Sequence, residues 1–251
     1  MKAIITGASS GLGRDFARLL SERGYTVVLV ARSKQKLERL AQQLPNPAEI
    51  VCLDLSEPQA CFELYEAYQN QSISLLINNA GFGSYGFFDE TDLQKELNMI
   101  DLNLKAVHIL TKLFTQKMIR QNHGIILNVA SSAGFFPGPK MATYYATKAY
   151  VVRLTESVRE ELRRRGKNVQ LSVLCPGPVN TNFNRRAGVR FGLSGLPSAA
   201  VAAYALDELF AGKAVIIPGL AMKLAKLGAR LLPDVATAWF SYFMQSKKDR
   251  S

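Results

Sequence analysis

Residues 2–20 read "KAIITGASSGLGRDFARLL". The first five form a short apolar run of the kind that builds a strand. Leu12, Phe16, Leu19 and Leu20 then recur at helical spacing. Gly7, Gly11 and Gly13 make the turn between them. A glycine-rich turn that ends at a helix N-terminus lets backbone N–H groups approach a pyrophosphate, and the helix dipole favours that negative charge. A tight strand-to-helix turn without ligand would use glycine too, and the spacing GxxxGxG differs from the GxGxxG fingerprint. What the stretch settles is an order: strand, turn, helix.

That order repeats along the chain. Apolar runs rich in Val, Ile and Leu predict strands at 2–6, 26–31, 49–53, 74–78, 124–130, 169–175 and 214–217. Helical patterns lie between them at 12–23, 33–43, 57–70, 92–121, 143–166 and 199–211. Continuously apolar strands separated by helices require a parallel sheet covered on both faces. The expected fold is therefore α/β, a doubly wound parallel sheet of the Rossmann type in a single domain. We expect residues 1–219 to form the dinucleotide-binding and catalytic domain and residues 220–251 an amphipathic extension of it.

Composition agrees with one globular unit, since 251 residues that are 48% hydrophobic and 20% charged can bury a large core. The net charge of +11 is unevenly spread: residues 1–139 hold 13 basic and 13 acidic side chains, residues 140–251 hold 18 and 7. No helix-turn-helix, zinc finger or RNP-like motif accompanies the excess, so nucleic acid is not the expected partner. A solvated face or attraction for an anionic substrate accounts for it. No charged n-region, apolar h-region and cleavage site open the chain. Cys52, Cys61 and Cys175 have neither CxxC nor zinc spacing. We read them as small buried hydrophobes in a reducing compartment, expect no metal site, and place the protein in the cytoplasm.

A second stretch, "TYYATKA" at 143–149, sets two tyrosines beside one lysine. Tyr144 and Lys148 are four residues apart and share a helix face, whereas Tyr145 points about 100° away. A free phenol has a pKa of about 10. Acid–base work near neutral pH therefore needs a nearby positive charge, and Lys148 supplies one.

The glycine turn TGxxxGxG, "NNAG" at 78–81 and YxxxK at 144–148 occur in order over most of the chain, and together they resemble the short-chain dehydrogenase/reductase family. The resemblance implies that Tyr144 exchanges a proton with the substrate oxygen while hydride moves to or from carbon. Lys148 would also bind the nicotinamide ribose. Aligning the family form SSxAG on "ASSAG" at 130–134 assigns the catalytic serine to Ser131, with Ala130 replacing the first serine. Asn103, in "DLNLKA", resembles the fourth catalytic member, whose backbone helps hold a water connecting the lysine to solvent. Gly7, Ser9, Ser10, Gly11, Leu12 and Gly13 would cradle the pyrophosphate, and Asp54 and Leu55 would lie beside the adenine. Asn79, Ala80 and Gly81 would pass the adenine ribose, with Asn78 supporting the central sheet. In "CPGPVNTNF" at 175–183, Pro176, Gly177, Val179 and Thr181 would line the nicotinamide.

The end of the second strand decides between nucleotides. An acidic residue there accepts hydrogen bonds from the adenosine ribose of NAD, whereas an arginine pairs with the 2′-phosphate of NADP. Here Ala31 precedes Arg32 and Ser33, with Lys34 and Lys36 adding charge, so NADP(H) is the expected cofactor. The expected substrate is a small carbonyl or alcohol. Phe82, Tyr85, Phe87, Phe88, Phe135, Phe136, Phe183 and Phe191 offer an apolar cleft for a lipophilic or acidic molecule, although about half of them would also suit the core. The Gly- and Arg-rich run 182–198 fits a covering loop. The motif neighbourhoods resemble the branch holding DltE-type and ketoacyl reductases. The alternative to an enzyme is a non-catalytic NADP-binding regulator, which would not need an activated phenol.

The family commonly pairs its two long helices, here 92–121 and 143–166, about a two-fold axis, so a homodimer or homotetramer is expected. Leu102, Val107, Leu110, Leu113, Phe114 and Met118 give the first of these more apolar surface than one thin stripe needs, although packing on the sheet could use most of them. Residues 220–251 departs from a minimal member in its basic, leucine- and aromatic-rich pattern. Pro233 and the interspersed charges rule out a simple spanning helix. Packing on the domain or a partner subunit is the favoured reading, with interfacial membrane contact second.

Overall fold

A computed structural model describes residues 1–181, 183 and 195–246. Seven parallel strands form one sheet: β1 (Lys2–Thr6), β2 (Thr26–Ala31), β3 (Ala48–Cys52), β4 (Leu75–Asn78), β5 (Ile125–Val129), β6 (Gln170–Leu174) and β9 (Val215–Ile216). Their order is β3-β2-β1-β4-β5-β6-β9, so the direction of winding reverses between β1 and β4. A crevice opens at the carboxyl ends of the strands where that reversal occurs. β7 (Val179–Asn180) and β8 (Leu196–Pro197) pair separately above it.

The period-two alternation of the strands feeds two cores. Ala3 and Ile5 of β1, Leu75 and Ile77 of β4 and Leu127 of β5 join Phe16 and Leu20 of α1 (Gly11–Glu22) and Leu206 and Leu209 of α7 (Ser198–Phe210). Ile4, Leu76 and Ile126 face the other way, onto Leu64 of α3 (Pro58–Tyr68) and Phe114 and Met118 of α5 (Val107–Gln121). Full burial of rings such as Phe16 and Phe114 stabilises the fold by about 1.5–3 kcal/mol each. The remaining α-helices among the described residues are α2 (Lys34–Ala41), α4 (Leu93–Ile100), α6 (Ala142–Arg164), α8 (Leu220–Leu231) and α9 (Asp234–Ser246).

Two expectations need correction. The helix expected at 92–121 is interrupted: a π turn, Asp101–Ala106, separates α4 from α5 and holds Asn103. Such turns insert a residue into the helical ladder and cluster at functional sites. Cys52 is exposed rather than buried, because β3 is the outermost strand of the sheet, while Cys61 and Cys175 are buried. Val107, Leu110, Phe114 and Met118 are spent on the chain's own core, which leaves Leu102 and Leu113 half-buried. The expected covering loop and Phe191 lie largely or wholly outside the described residues.

Candidate active site

The crevice is a cleft of about 610 Å³ lined from the glycine turn to Phe183. A wider dish of about 1060 Å³ lies at the opposite ends of the strands, bordered by Lys2, His123, Arg159 and Lys167. None of the expected site residues borders that dish, and the chemistry-bearing side chains converge on the cleft.

At its nucleotide end, backbone makes the walls. A Cβ on Gly13 would stand 2.3 Å from the Gly7 carbonyl oxygen, and one on Gly7 2.9 Å from Ala80 Cα, at a φ of +66°. Only glycine fits either place. Thr6 clamps this turn to the next loop: its Oγ1 accepts from Asn79 N at 2.9 Å and Ala80 N at 3.0 Å, while Asn79 Nδ2 donates to Thr6 O at 2.9 Å. The Ser10 side chain does not cap α1, so first-turn N–H groups remain for a ligand. Ser9, Ser10, Gly11, Leu12, Ala80 and Gly81 line the cleft, whereas Gly13 packs behind it.

Arg32 follows β2 with its side chain 61% exposed and its Nη1 3.3 Å from Asp54 Oδ2. An exposed pair of this kind contributes little and leaves the guanidinium available to an anion. Burial works against the Asp54 charge, but hydrogen bonds from Ser56 and the Arg32 guanidinium outweigh it and hold the carboxyl below its usual value. Asp54 Oδ1 accepts from Ser56 N at 3.1 Å and Ser56 Oγ at 2.7 Å, a local turn rather than a helix cap. Ser33, Lys36 and Leu55 complete this end. Glycine cradle and uncapped helix start together fit the pyrophosphate of a dinucleotide, and the solvent-facing arginine stands at its adenosine end.

The reacting centre lies deeper. Tyr144 and Lys148 are both buried on one face of α6, with Lys148 Nζ 5.8 Å from the Tyr144 ring centre. Lys148 Nζ donates to Val129 O at 2.9 Å. Burial pushes its ammonium down to about 8, partly opposed by the Cys175 sulfur. Burial also drives the Tyr144 phenol above its ordinary value, opposed by a hydrogen bond with the Ser131 side chain. Ser131 Oγ accepts from Ala133 N at 3.2 Å and donates to Pro176 O at 3.4 Å, which fixes the hydroxyl at the end of β5. Pro176, Gly177, Val179 and Thr181 line the neighbouring wall.

Asn103 does not line the cleft. Its Nδ2 donates to Phe82 O at 2.8 Å and Thr147 Oγ1 at 3.3 Å, and its Oδ1 accepts from Phe82 N at 3.0 Å. The side chain is fully committed to holding the loop after Gly81 in place. Tyr145, off the face that Tyr144 shares with Lys148, lines the mouth. Its hydroxyl hydrogen-bonds with Ser241 and Gln245 of α9, and burial pushes its phenol up to about 12. Phe82 and Phe183 reach the cleft, with the Phe183 ring centre 5.3 Å from that of Tyr144, while Phe87 and Phe88 are exposed.

Thr6, Thr147, Met141 and the α9 anchors were not singled out from the sequence. Thr147 carried a signal, since it lies three residues from Tyr144 on the same helical face. Gln245 carried none: nothing local ties it to a tyrosine 100 residues earlier.

Residues 1–189 match the family model described as short chain dehydrogenase. The chain belongs to the short-chain dehydrogenase family. It is 34% identical over 192 residues to an uncharacterized oxidoreductase of Staphylococcus epidermidis, covering 76% of this chain and 82% of that one. It is 33% identical over 177 residues to a very-long-chain 3-oxoacyl-CoA reductase of Anas platyrhynchos, covering 67% of this chain and 57% of that one. A short-chain dehydrogenase from Sphingobium yanoikuyae solved with NADPH superposes with a TM-score of 0.83 at 30% identity, covering 92% and 93% of the two chains. A Burkholderia phymatum member solved with NAD gives 0.81 at 28% identity, covering 90% and 91%. This short-chain dehydrogenase is therefore an oxidoreductase that works with a nicotinamide nucleotide. Among its described residues no helix is long and apolar enough to cross a membrane.

Proposed function

We propose that this protein is an NADPH-dependent reductase of lipophilic ketones in the cytoplasm, with 3-oxoacyl compounds as the first class to test. The observation that carries the proposal is the convergence of Ser131, Tyr144 and Lys148 on one cleft, with Tyr144 and Lys148 buried on the same helical face. When bound, the nicotinamide supplies the hydride. Ser131 would orient the substrate oxygen by turning its hydroxyl proton from the long bond to Pro176 O toward that oxygen. Tyr144 gives its proton to that oxygen as negative charge develops there. Its raised pKa keeps the proton in place at neutral pH, which suits reduction, and the Lys148 ammonium stabilises the phenolate left behind.

Arg32, with no acid at Ala31, supports NADPH over NADH. Asn103 acts through the loop it holds and is a positioning residue. The apolar wall of Phe82, Met141 and Phe183 supports a lipophilic substrate, as does the likeness to the 3-oxoacyl-CoA reductase. An intact serine, tyrosine and lysine set favours an enzyme over a nucleotide-binding regulator. Assembly as a homodimer or homotetramer through α5 and α6 belongs to the same proposal and is read by light scattering. The test of function is a spectrophotometric panel of 3-oxoacyl thioesters, cyclic and aryl ketones and aldehydes with NADPH. We expect turnover on at least one lipophilic ketone. NADPH binding without consumption across the panel would overturn the enzymatic reading.

A further inference from the structure

Helix α9 carries its aromatic side chains outward, and α8, which sets Met222 against the core, carries a row of leucines outward. In α9 the side chains turned inward are Thr237, Ser241 and Gln245, spaced four apart and all polar. Those turned to solvent include Trp239 at 64% exposed, Phe240 at 62% and Phe243 at 48%. In α8 no residue is buried, and Leu220, Leu224, Leu227 and Leu231 form an exposed row at spacings of four, three and four. A surface helix in water shows the reverse arrangement, with its apolar stripe against the core. Scattered exposed leucines need no explanation, but an inverted α9 beside a row of four exposed leucines on α8 marks an interaction surface.

Charge identifies what covers it. Residues 220–251 contain six Lys and Arg against two Asp. Lys223 and Arg230 are exposed beside the leucine row; Lys223 Nζ lies 5.8 Å over the Tyr204 ring and Lys226 Nζ 5.3 Å over the Phe135 ring. That excess gives the face a positive charge, which anionic headgroups complement. An anionic bilayer offers what both features need: acyl chains for the leucines and aromatic rings, and phosphates for the cations. The length and charge of these helices fit contact in the membrane plane rather than across it.

We propose that α8 and α9 dock this protein on anionic lipid bilayers, with their outward faces in the interface. The inner face of α9 places the cleft at that surface. Gln245 bonds Tyr145 at the cleft mouth, and Tyr85 Oη donates to Gln245 O at 3.1 Å. The docking does not depend on which ketone is reduced, and its readout is not activity.

Trp239 is the single tryptophan of the chain, so tryptophan emission, excited selectively over the tyrosines, reports on this face alone. The experiment titrates the full-length protein with phosphatidylglycerol/phosphatidylcholine vesicles and with pure phosphatidylcholine, alongside flotation and light scattering. The expected result is a blue shift and co-flotation with the anionic vesicles only. Both should weaken at about 1 M salt, where the Debye length falls to about 3 Å. The double variant Leu224→Glu/Leu227→Glu should bind vesicles at least about tenfold more weakly while its circular dichroism and NADPH binding are retained, since both leucines face solvent. Equal flotation of wild type and variant would overturn the proposal. So would an unshifted Trp239, or a lipid-free assembly that the double variant dissociates, which would make a second copy the occupant.

Discussion

At the nucleotide end of the cleft, Gly7 and Gly13 leave no space for one methyl group, whereas at the mouth α9 turns Trp239, Phe240 and Phe243 toward solvent. The first region is built from backbone meeting backbone, and its composition is fixed by contact distances. The second is built from side chains whose inner face needs only hydrogen-bond partners for Tyr145 and Tyr85. Tyr144 and Lys148 stand between them, close enough to the tight end for burial to shift both groups. The difference teaches where substitution should stop chemistry and where it should only loosen the mouth.

The largest effect falls on the hydroxyl itself. Tyr144→Phe keeps the ring that packs against Phe183 and removes the proton donor, so turnover should fall by about 10²–10⁴ with NADPH affinity retained. Steady-state kinetics and cofactor titration check this together. Loss of NADPH binding would mean that the residue belongs to the nucleotide end instead.

Next comes pH. Lys148 is held down to about 8 by burial, so below that value it carries its charge while Tyr144 keeps its proton. Reductive kcat/KM should be flat below about pH 8 and fall as pH rises through it, because the pair then gives up the first proton that reduction requires. Lys148→Met should slow turnover and move the break upward, since the buried phenol alone titrates above its ordinary value. A pH profile with an unmoved break would assign that titration elsewhere.

A smaller effect belongs to Arg32. Arg32→Asp should weaken NADPH binding by about tenfold to a hundredfold, the range of one or two charge-assisted hydrogen bonds, and spare NADH. Its loss also frees Asp54, whose carboxyl should then titrate higher. Equal wild-type dissociation constants for the two nucleotides would remove the premise.

The smallest effect is expected at Tyr145. Tyr145→Phe cuts the bonds to Ser241 and Gln245 that hold α9, at a cost of about 0.5–1.5 kcal/mol. KM should rise modestly with kcat little changed. Abolished turnover would mean that Tyr145, rather than Tyr144, is the donor.

The same contrast explains what the sequence disclosed. All seven strands fell within two residues of their expected positions because a sheet covered on both faces leaves its strands no polar alternation. The glycine turn and the Tyr144–Lys148 pair were legible because each depends on spacing within a few residues. The π turn around Asn103 was not, since it changes one hydrogen-bond register inside an otherwise regular helical pattern. The edge position of Cys52 and the contact of Tyr145 with Gln245 depend on strand order and on a link across 100 residues, which no local pattern encodes. The inverted face of α9 was visible only as an aromatic-rich run, because its buried side is three polar residues that a helix could place anywhere.

The most direct test of the account follows the transferred atom. NADPH deuterated at the hydride position is incubated with an accepted ketone, and the alcohol is analysed by mass spectrometry for wild type and Tyr144→Phe. The account predicts one deuterium on the carbinol carbon with wild type, and formation slowed by about 10²–10⁴ in the variant at saturating nucleotide. Unlabelled alcohol from wild type, or labelled alcohol formed equally fast by Tyr144→Phe, would contradict it.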